Sequence, residues 1–334
     1  MSRGDRDPIE WAAGENRDLQ EIATWEPRTR LDRLSTSIYS AILAGGRAAV
    51  IGIAIAILAS QFAITGLITL ENPVLALYIA LSVVPAFFLV VLLWRMDVVR
   101  YEPIETLAIT FLLGVLFAGF AAIFNTALKG LFVGLGAVGL VLYFFLVVGP
   151  IEETVKLFAV RIHAYRADHF DAVIDGAIYG AIAGLGFAAI ENMLYITREY
   201  LQTAGAASPG LVDPTAQIAA MRTFAGPGHV IYSAFAGYYL GLAKFNPENR
   251  GPIVIKGLLV AAAIHGTYNT LVSNLDFVLG FVPFLGGLPQ AIGFVGFVIV
   301  FDGVFFLLLY AKLRRYRRAF EEVGASAFYE ETPE

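Results

Sequence analysis

Four stretches of this sequence carry ionisable side chains in otherwise apolar surroundings. GPIEETVKLFAV (149–160) places Glu152, Glu153 and Lys156 after an uncharged run, 130–148. FAAIEN (187–192) holds Glu191 and Asn192, GPGHVIYS (226–233) holds His229 and Ser233, and IHGTYN (264–269) holds His265 and Asn269. Asp302 stands alone in a later apolar run. Burying such groups costs several kcal/mol unless they are paired or reach water, so an ionisable residue inside a membrane span marks function by default.

Their spacing suggests chemistry. Glu152 and Lys156 are four residues apart, so they can pair on one helix face. Glu153 then points about 100° away around the helix and is left for another task. His229 and His265 are two of the chain's four histidines, and each has a polar residue four positions later, Ser233 and Asn269. Two helices with such faces can share one site. Neutral imidazole is the commonest metal ligand, and two histidines plus one carboxylate with an open position make a catalytic zinc pattern. A second carboxylate then serves as general base on bound water. The same groups also allow catalysis without metal: a buried glutamate activates water while His and Asn stabilise the oxyanion. Spacing does not choose between these. The soluble motif H-E-x-x-H is absent. Asp302 reads as an interhelical hydrogen-bond partner or as a residue lining a cavity, and Arg222 and Asn192 as supports of the site.

The elements that must position these residues are membrane helices. Of 334 residues, 58% are hydrophobic and 15% charged, and mean hydropathy is +0.70; soluble domains carry about 25% charge. The pattern predicts an all-α polytopic helix bundle of about eight transmembrane helices around a membrane-embedded polar cavity. The spans run approximately over 45–67, 73–94, 104–127, 131–155, 173–196, 219–244, 253–275 and 288–312. The short alternating segments of a β-barrel are not seen. Cysteine is absent, which excludes disulfides and thiolate metal sites. The net charge of −5 does not suggest nucleic acid as a partner. The first 30 residues have no apolar h-region, so no cleavable signal peptide is expected. Residues 1–35 read as a polar arm, 36–312 as the membrane domain and 313–334 as a charged tail. Basic residues recur on alternate loops, from Arg28, Arg30 and Arg33 to Lys312, Arg314, Arg315, Arg317 and Arg318. This predicts a cell-membrane protein with both termini cytoplasmic. The stretch 197–218 reads as a surface loop or lid, and Gly176, Gly180 and Gly184 as a face for close helix packing.

Glu152-Glu153-x-x-Lys156 resembles the EExxK motif of PrsW-type intramembrane proteases. Phe187 to Asn192 resembles that family's F-x-x-x-E-N motif, Arg222 to His229 its third motif, and His265 to Asn269 its fourth, H-x-x-x-[DN]. The stretch 96–114 also resembles the family's approach to its third span. The resemblance covers roughly residues 73–275, and four motifs in order make it specific. It extends to the type II CAAX prenyl endopeptidases, to bacteriocin-processing proteins and to the non-catalytic scaffold subunit of γ-secretase.

The resemblance implies hydrolysis of a peptide bond in a membrane-anchored protein, an anti-sigma factor in characterised members. It implies Glu152, Glu153, Glu191, His229 and His265 as site residues, with Asn269 as helper where the family has Asp or Asn. Lys156 tunes the glutamate pair. His229, His265 and Glu191 are expected to hold a divalent metal, zinc by preference, or failing that the oxyanion. The lipid bilayer and a membrane-anchored substrate are the expected partners. Two other functions fit an apolar bundle with buried charges: a silent scaffold or receptor, which needs a broken motif, and a proton-coupled transporter, which favours inverted repeats. Neither feature is seen in the sequence.

Overall fold

The computed structural model describes residues 18, 26–98, 102–203, 213–280 and 289–322. Most of the expected arm, the centre of the 197–218 loop and the end of the tail lie outside these residues. The described residues are helical throughout, without strands. The chain divides into two compact units, residues 1–56 and 57–334.

In the first unit, helix α1 (Arg30–Glu71) begins with a reciprocal cap. Thr29 Oγ1 accepts the Asp32 N–H at 3.1 Å, and Asp32 Oδ2 accepts the Thr29 N–H at 2.7 Å. The helix continues into the second unit.

There follow α2 (Pro73–Trp94), α3 (Ile104–Val133), α4 (Gly136–Tyr143), α5 (Gly149–Ile162), α6 (Val173–Thr203), α7 (Pro214–Lys244), α8 (Arg250–Ser273), α9 (Leu275–Gly280) and α10 (Gln290–Glu322). Asn-Pro and Asp-Pro start two of them. Asn72 accepts the Leu75 N–H and Asp213 accepts the Thr215 N–H, with Pro73 and Pro214 in the first helical position.

Among the described residues, seven helices are long and apolar enough to cross a membrane, so this is a multi-pass membrane protein. Eight spans were expected. The eighth, α7, has the length, at 31 residues, but Gln217, Arg222, Thr223, His229 and Ser233 dilute its apolar character.

The largest difference from expectation is the fourth span. α3 runs on to Val133, and the next continuous helix occupies Gly136–Arg166, not 131–155. Its middle, Phe144–Val148, widens to a π turn just before Gly149-Pro150. Proline has no N–H to give to the preceding turn, and π turns of this kind gather at functional sites. Gly149 faces Ala262 of α8 so closely that an added Cβ would lie 2.7 Å from the Ala262 carbonyl oxygen.

α6 is the central helix: 94% of its apolar window is buried inside the bundle. Its glycine face lets α7 approach. A Cβ on Gly176, Gly180 or Gly184 would collide with the carbonyl oxygens of Gly237, Ser233 and His229 respectively. Small residues at four-residue spacing therefore bring the His229 backbone directly against α6. The outer helices instead expose large apolar side chains such as Phe87, Phe88, Leu112 and Leu131, as a lipid-facing surface does.

Candidate active site

Glu152, Glu153, Lys156, Glu191, His229 and His265 converge between α5, α6, α7 and α8. The sequence placed Glu152 near the end of its span and Glu191 toward the opposite end of the next, which set them apart. The shifted fourth span removes the conflict. Glu152 lies midway along Gly136–Arg166, and Glu191 lies beyond the middle of α6, which begins at Val173.

Lys156 is fully buried and sits at the centre. Its ammonium lies 2.7 Å from Glu153 Oε1, 3.6 Å from Glu152 Oε2 and 2.9 Å from His229 Nδ1. It also rests 4.2 Å from the centre of the Phe187 ring. The expected i,i+4 pair with Glu152 is thus the longer contact, and Glu153, one turn back at i,i+3, is the closer partner. The reason is that Glu153 does not point away from the site. It is completely buried, accepts a hydrogen bond from Ser233 Oγ at 3.2 Å, and has His265 Nδ1 2.9 Å from Oε1.

Glu152 is held differently. Asn125 Nδ2 of α3 donates to its Oε1 at 3.0 Å, and the Tyr143 hydroxyl donates to the Asn125 carbonyl oxygen at 2.9 Å. Its other oxygen, Oε2, is buried without a hydrogen-bond partner. That oxygen lies 3.9 Å from His229 Nδ1 and 3.8 Å from His265 Nε2. The two imidazole rings meet nearly edge to face at 5.3 Å.

Glu191, expected as a metal ligand with the two histidines, is placed on the far side of His229. Its Oε2 lies 2.8 Å from His229 Nε2 and 2.6 Å from Arg222 Nη2. Arg222 in turn donates from Nε to Asn192 Oδ1 at 2.8 Å, and Asn192 donates to the backbone carbonyl and hydroxyl of Ser82. The three residues whose ligand atoms lie within 4.8 Å of one another are Glu152, His229 and His265. Each histidine therefore has a carboxylate on the nitrogen that faces away from this group: Glu191 for His229 and Glu153 for His265. The network assigns the Nε2–H tautomer to His229 and the Nδ1–H tautomer to His265.

A cavity of about 830 Å³ opens onto this cluster. Glu152, Glu191, His229, His265 and Asn269 line it, and it reaches Lys129 and Arg198 at its other end. Asp302 lies outside it and accepts from Tyr232 OH at 3.3 Å. The sequence passed over Asn125, Tyr143 and Ser82. A lone Asn in the apolar interior of the third span was the available signal for the first, while Tyr143 and Ser82 act through ordinary-looking positions.

The donor set fits a divalent metal. Two imidazoles and a carboxylate face each other, the rings are oriented by carboxylates behind them, and Glu152 Oε2 accepts no hydrogen bond. Loading requires the Lys156 ammonium to withdraw from His229 Nδ1 to Glu153, already its closest partner.

Residues 102–304 match the sequence profile of a family described as PrsW family intramembrane metalloprotease. The chain is 30% identical over 143 residues to Protease PrsW of Shouchella clausii, a match covering 42% of this chain and 60% of that protein. It is 28% identical over 214 residues to Protease PrsW of Bacillus subtilis, covering 62% of this chain and 89% of that one. For Protease PrsW of Clostridioides difficile the figures are 29% over 194 residues, 57% and 76%. No solved structure matches the chain significantly.

Proposed function

From the premise that the chain belongs to the PrsW family of intramembrane metalloproteases, we propose that its cavity hydrolyses a peptide bond in a membrane-anchored protein. The observation that carries this is Glu152 Oε2: a buried carboxylate oxygen with no hydrogen-bond partner, set between His229 Nδ1 and His265 Nε2 on the wall of a cavity. A scaffold gains nothing from an unpartnered buried carboxylate oxygen, which costs stability. A hydrolase needs one to accept a proton from water.

The chain's own groups divide the work. Glu152 Oε2 takes a proton as the water oxygen bonds to the scissile carbonyl carbon, and returns it to the amine nitrogen when the C–N bond breaks. Asn125 fixes the other oxygen of Glu152 so that Oε2 faces the cavity. Glu191 and Glu153 each hold one histidine by its N–H and set the ring orientation. Lys156 balances the two buried glutamates, and Arg222 balances Glu191. Asn269, on the cavity wall, is placed to bind the substrate backbone. A divalent metal held by Glu152, His229 and His265, zinc by preference, would supply Lewis-acid polarisation of the carbonyl and a bound water that loses its proton near neutral pH, so that hydrolysis would not then need Glu152 as base. Glu191 belongs behind His229 in this scheme, not in the ligand set. The alternation of basic loops supports both termini on the cytoplasmic side of the cell membrane.

The test is co-reconstitution of the purified chain with single-span proteins from the same host membrane, with mass spectrometry of newly formed termini. The wild type creates new termini and E152A, with unchanged helical content, creates none. The same termini in E152A would exclude the proposed site.

A further inference from the structure

A second group of carboxylates lies away from this cavity, where the connection between α2 and α3 meets the start of α6. Asp97 follows α2, Glu102 directly precedes α3, and Asp175 stands in the first turn of α6. One carboxylate oxygen from each lies within 4.8 Å of the other two. Glu102 and Asp175 are 3% and 1% exposed, so two of the three are almost entirely removed from water.

Their surroundings supply hydrogen-bond donors. Asp175 Oδ2 accepts the N–H groups of Asp171 and Ala172 at 2.8 and 2.7 Å. Asp97 Oδ1 accepts the Val98 N–H at 2.7 Å. The Tyr179 hydroxyl donates to Glu102 Oε2. Glu102 Oε1 is buried with no hydrogen-bond partner, and so is Nε2 of His169, 4.0 Å from Glu102 Oε2. Among the described residues, no Lys or Arg lies within ion-pair distance of Glu102 or Asp175. Lys244 is close by, but its ammonium donates to the carbonyl oxygens of Tyr165 and Phe170 at 3.0 and 2.8 Å. Glu102 thus keeps one buried oxygen without a donor inside a group of three carboxylates.

We propose that Asp97, Glu102 and Asp175 bind one hard divalent cation of the Mg²⁺ or Ca²⁺ class, distinct from the hydrolytic centre. All three donors are carboxylate oxygens, which suit hard cations and not the imidazole-preferring transition metals. The ion ties the α2–α3 connection to the N-terminal turn of α6, the helix that carries Glu191 farther along. It fixes the entry of the central helix into the bundle, independently of whether the cavity hydrolyses peptides.

The probe is Mn²⁺, followed by electron paramagnetic resonance in titrations of the full chain in detergent. The wild type is expected to hold a bound Mn²⁺ population that millimolar Ca²⁺ or Mg²⁺ displaces. E102Q and D97N each weaken it at least tenfold, and H265A leaves it unchanged. Asp97 is only partly buried, so D97N tests the site even if E102Q fails to fold. Absence of this population from the wild type, unchanged affinity in D97N, or loss in H265A alone would each overturn the proposal.

Discussion

The two buried clusters of this bundle differ in how they settle their charge. The cluster around Glu152 contains three glutamates, with Lys156 buried and Arg222 partly buried among them, each in direct contact with a carboxylate. In the cluster around Glu102, no Lys or Arg among the described residues lies within ion-pair distance of Glu102 or Asp175, and a partly exposed histidine lies 4.0 Å from Glu102. Burial, with the charges of Asp175 and Asp97 adding, pushes Glu102 up to about 9. The first cluster is a nearly neutral network with one idle oxygen, which is what acid–base chemistry requires. The second keeps a buried Glu102 oxygen without a donor among three carboxylates, which is what a cation site requires. Buried acids by themselves do not say which is which; the supply of cations around them does.

This contrast can be broken in order of effect. Removing the idle carboxylate or a free imidazole, by E152A or H265A, is expected to lower cleavage about 10²–10⁴-fold with little loss of helical content, read as the rate of appearance of new termini. D97N, at the partly buried member of the second cluster, is expected to leave that rate within tenfold of wild type. Equal losses in both would erase the distinction between the clusters.

Removing the central cation by K156M leaves Glu152 and Glu153 buried without their ammonium. On the order of 3–5 kcal/mol of stability should disappear, measured as a shift in denaturation midpoint in mixed micelles. A K156M chain as stable as wild type would show that the network is not charge-balanced through Lys156.

The closeness of α6 and α7 positions His229, so G180A is expected to cost about 1–3 kcal/mol by overpacking, because its Cβ meets the Ser233 carbonyl oxygen. The same thermal or denaturant series measures it. No change would mean the helices separate freely and the glycine face is not what sets the site's width.

The smallest effect is local. The Thr29 N–H holds the Asp32 carboxyl below the usual carboxylate range. A group lowered on folding stabilises above its ordinary range, and the benefit is lost as pH falls through its folded value. Amide exchange at the start of α1 should therefore accelerate severalfold on acidification below the normal Asp range, corrected for intrinsic rates, and should not do so in D32N.

Much of the buried cluster around Glu152 was legible in the sequence, for a physical reason. Charge inside an apolar run is conspicuous in one dimension, and His229 with Ser233 and His265 with Asn269 advertise polar helix faces. The glycine face of α6 was legible by the same periodicity. The choice between Glu152 and Glu153 was not, because it depends on the helix phase set by the π turn at 144–148 and on Asn125 reaching in from α3. The displaced fourth span escaped notice because α3 and α4 are both apolar across their junction. The Glu102 cluster was invisible for the opposite reason: Asp97, Glu102 and Asp175 lie at helix ends and connections, where acidic residues are ordinary, and only the fold shows that they are buried together.

The central claim is that Glu152, and not Glu191, completes the set with His229 and His265. Metal content by mass spectrometry, on protein purified without chelators, tests it most directly when wild type, E152A, H265A and E191Q are compared. The account predicts about one transition-metal equivalent per chain in wild type, its loss in E152A and H265A, and its retention at reduced affinity in E191Q. Metal retained in E152A and lost in E191Q, or no metal in the wild type, would contradict it.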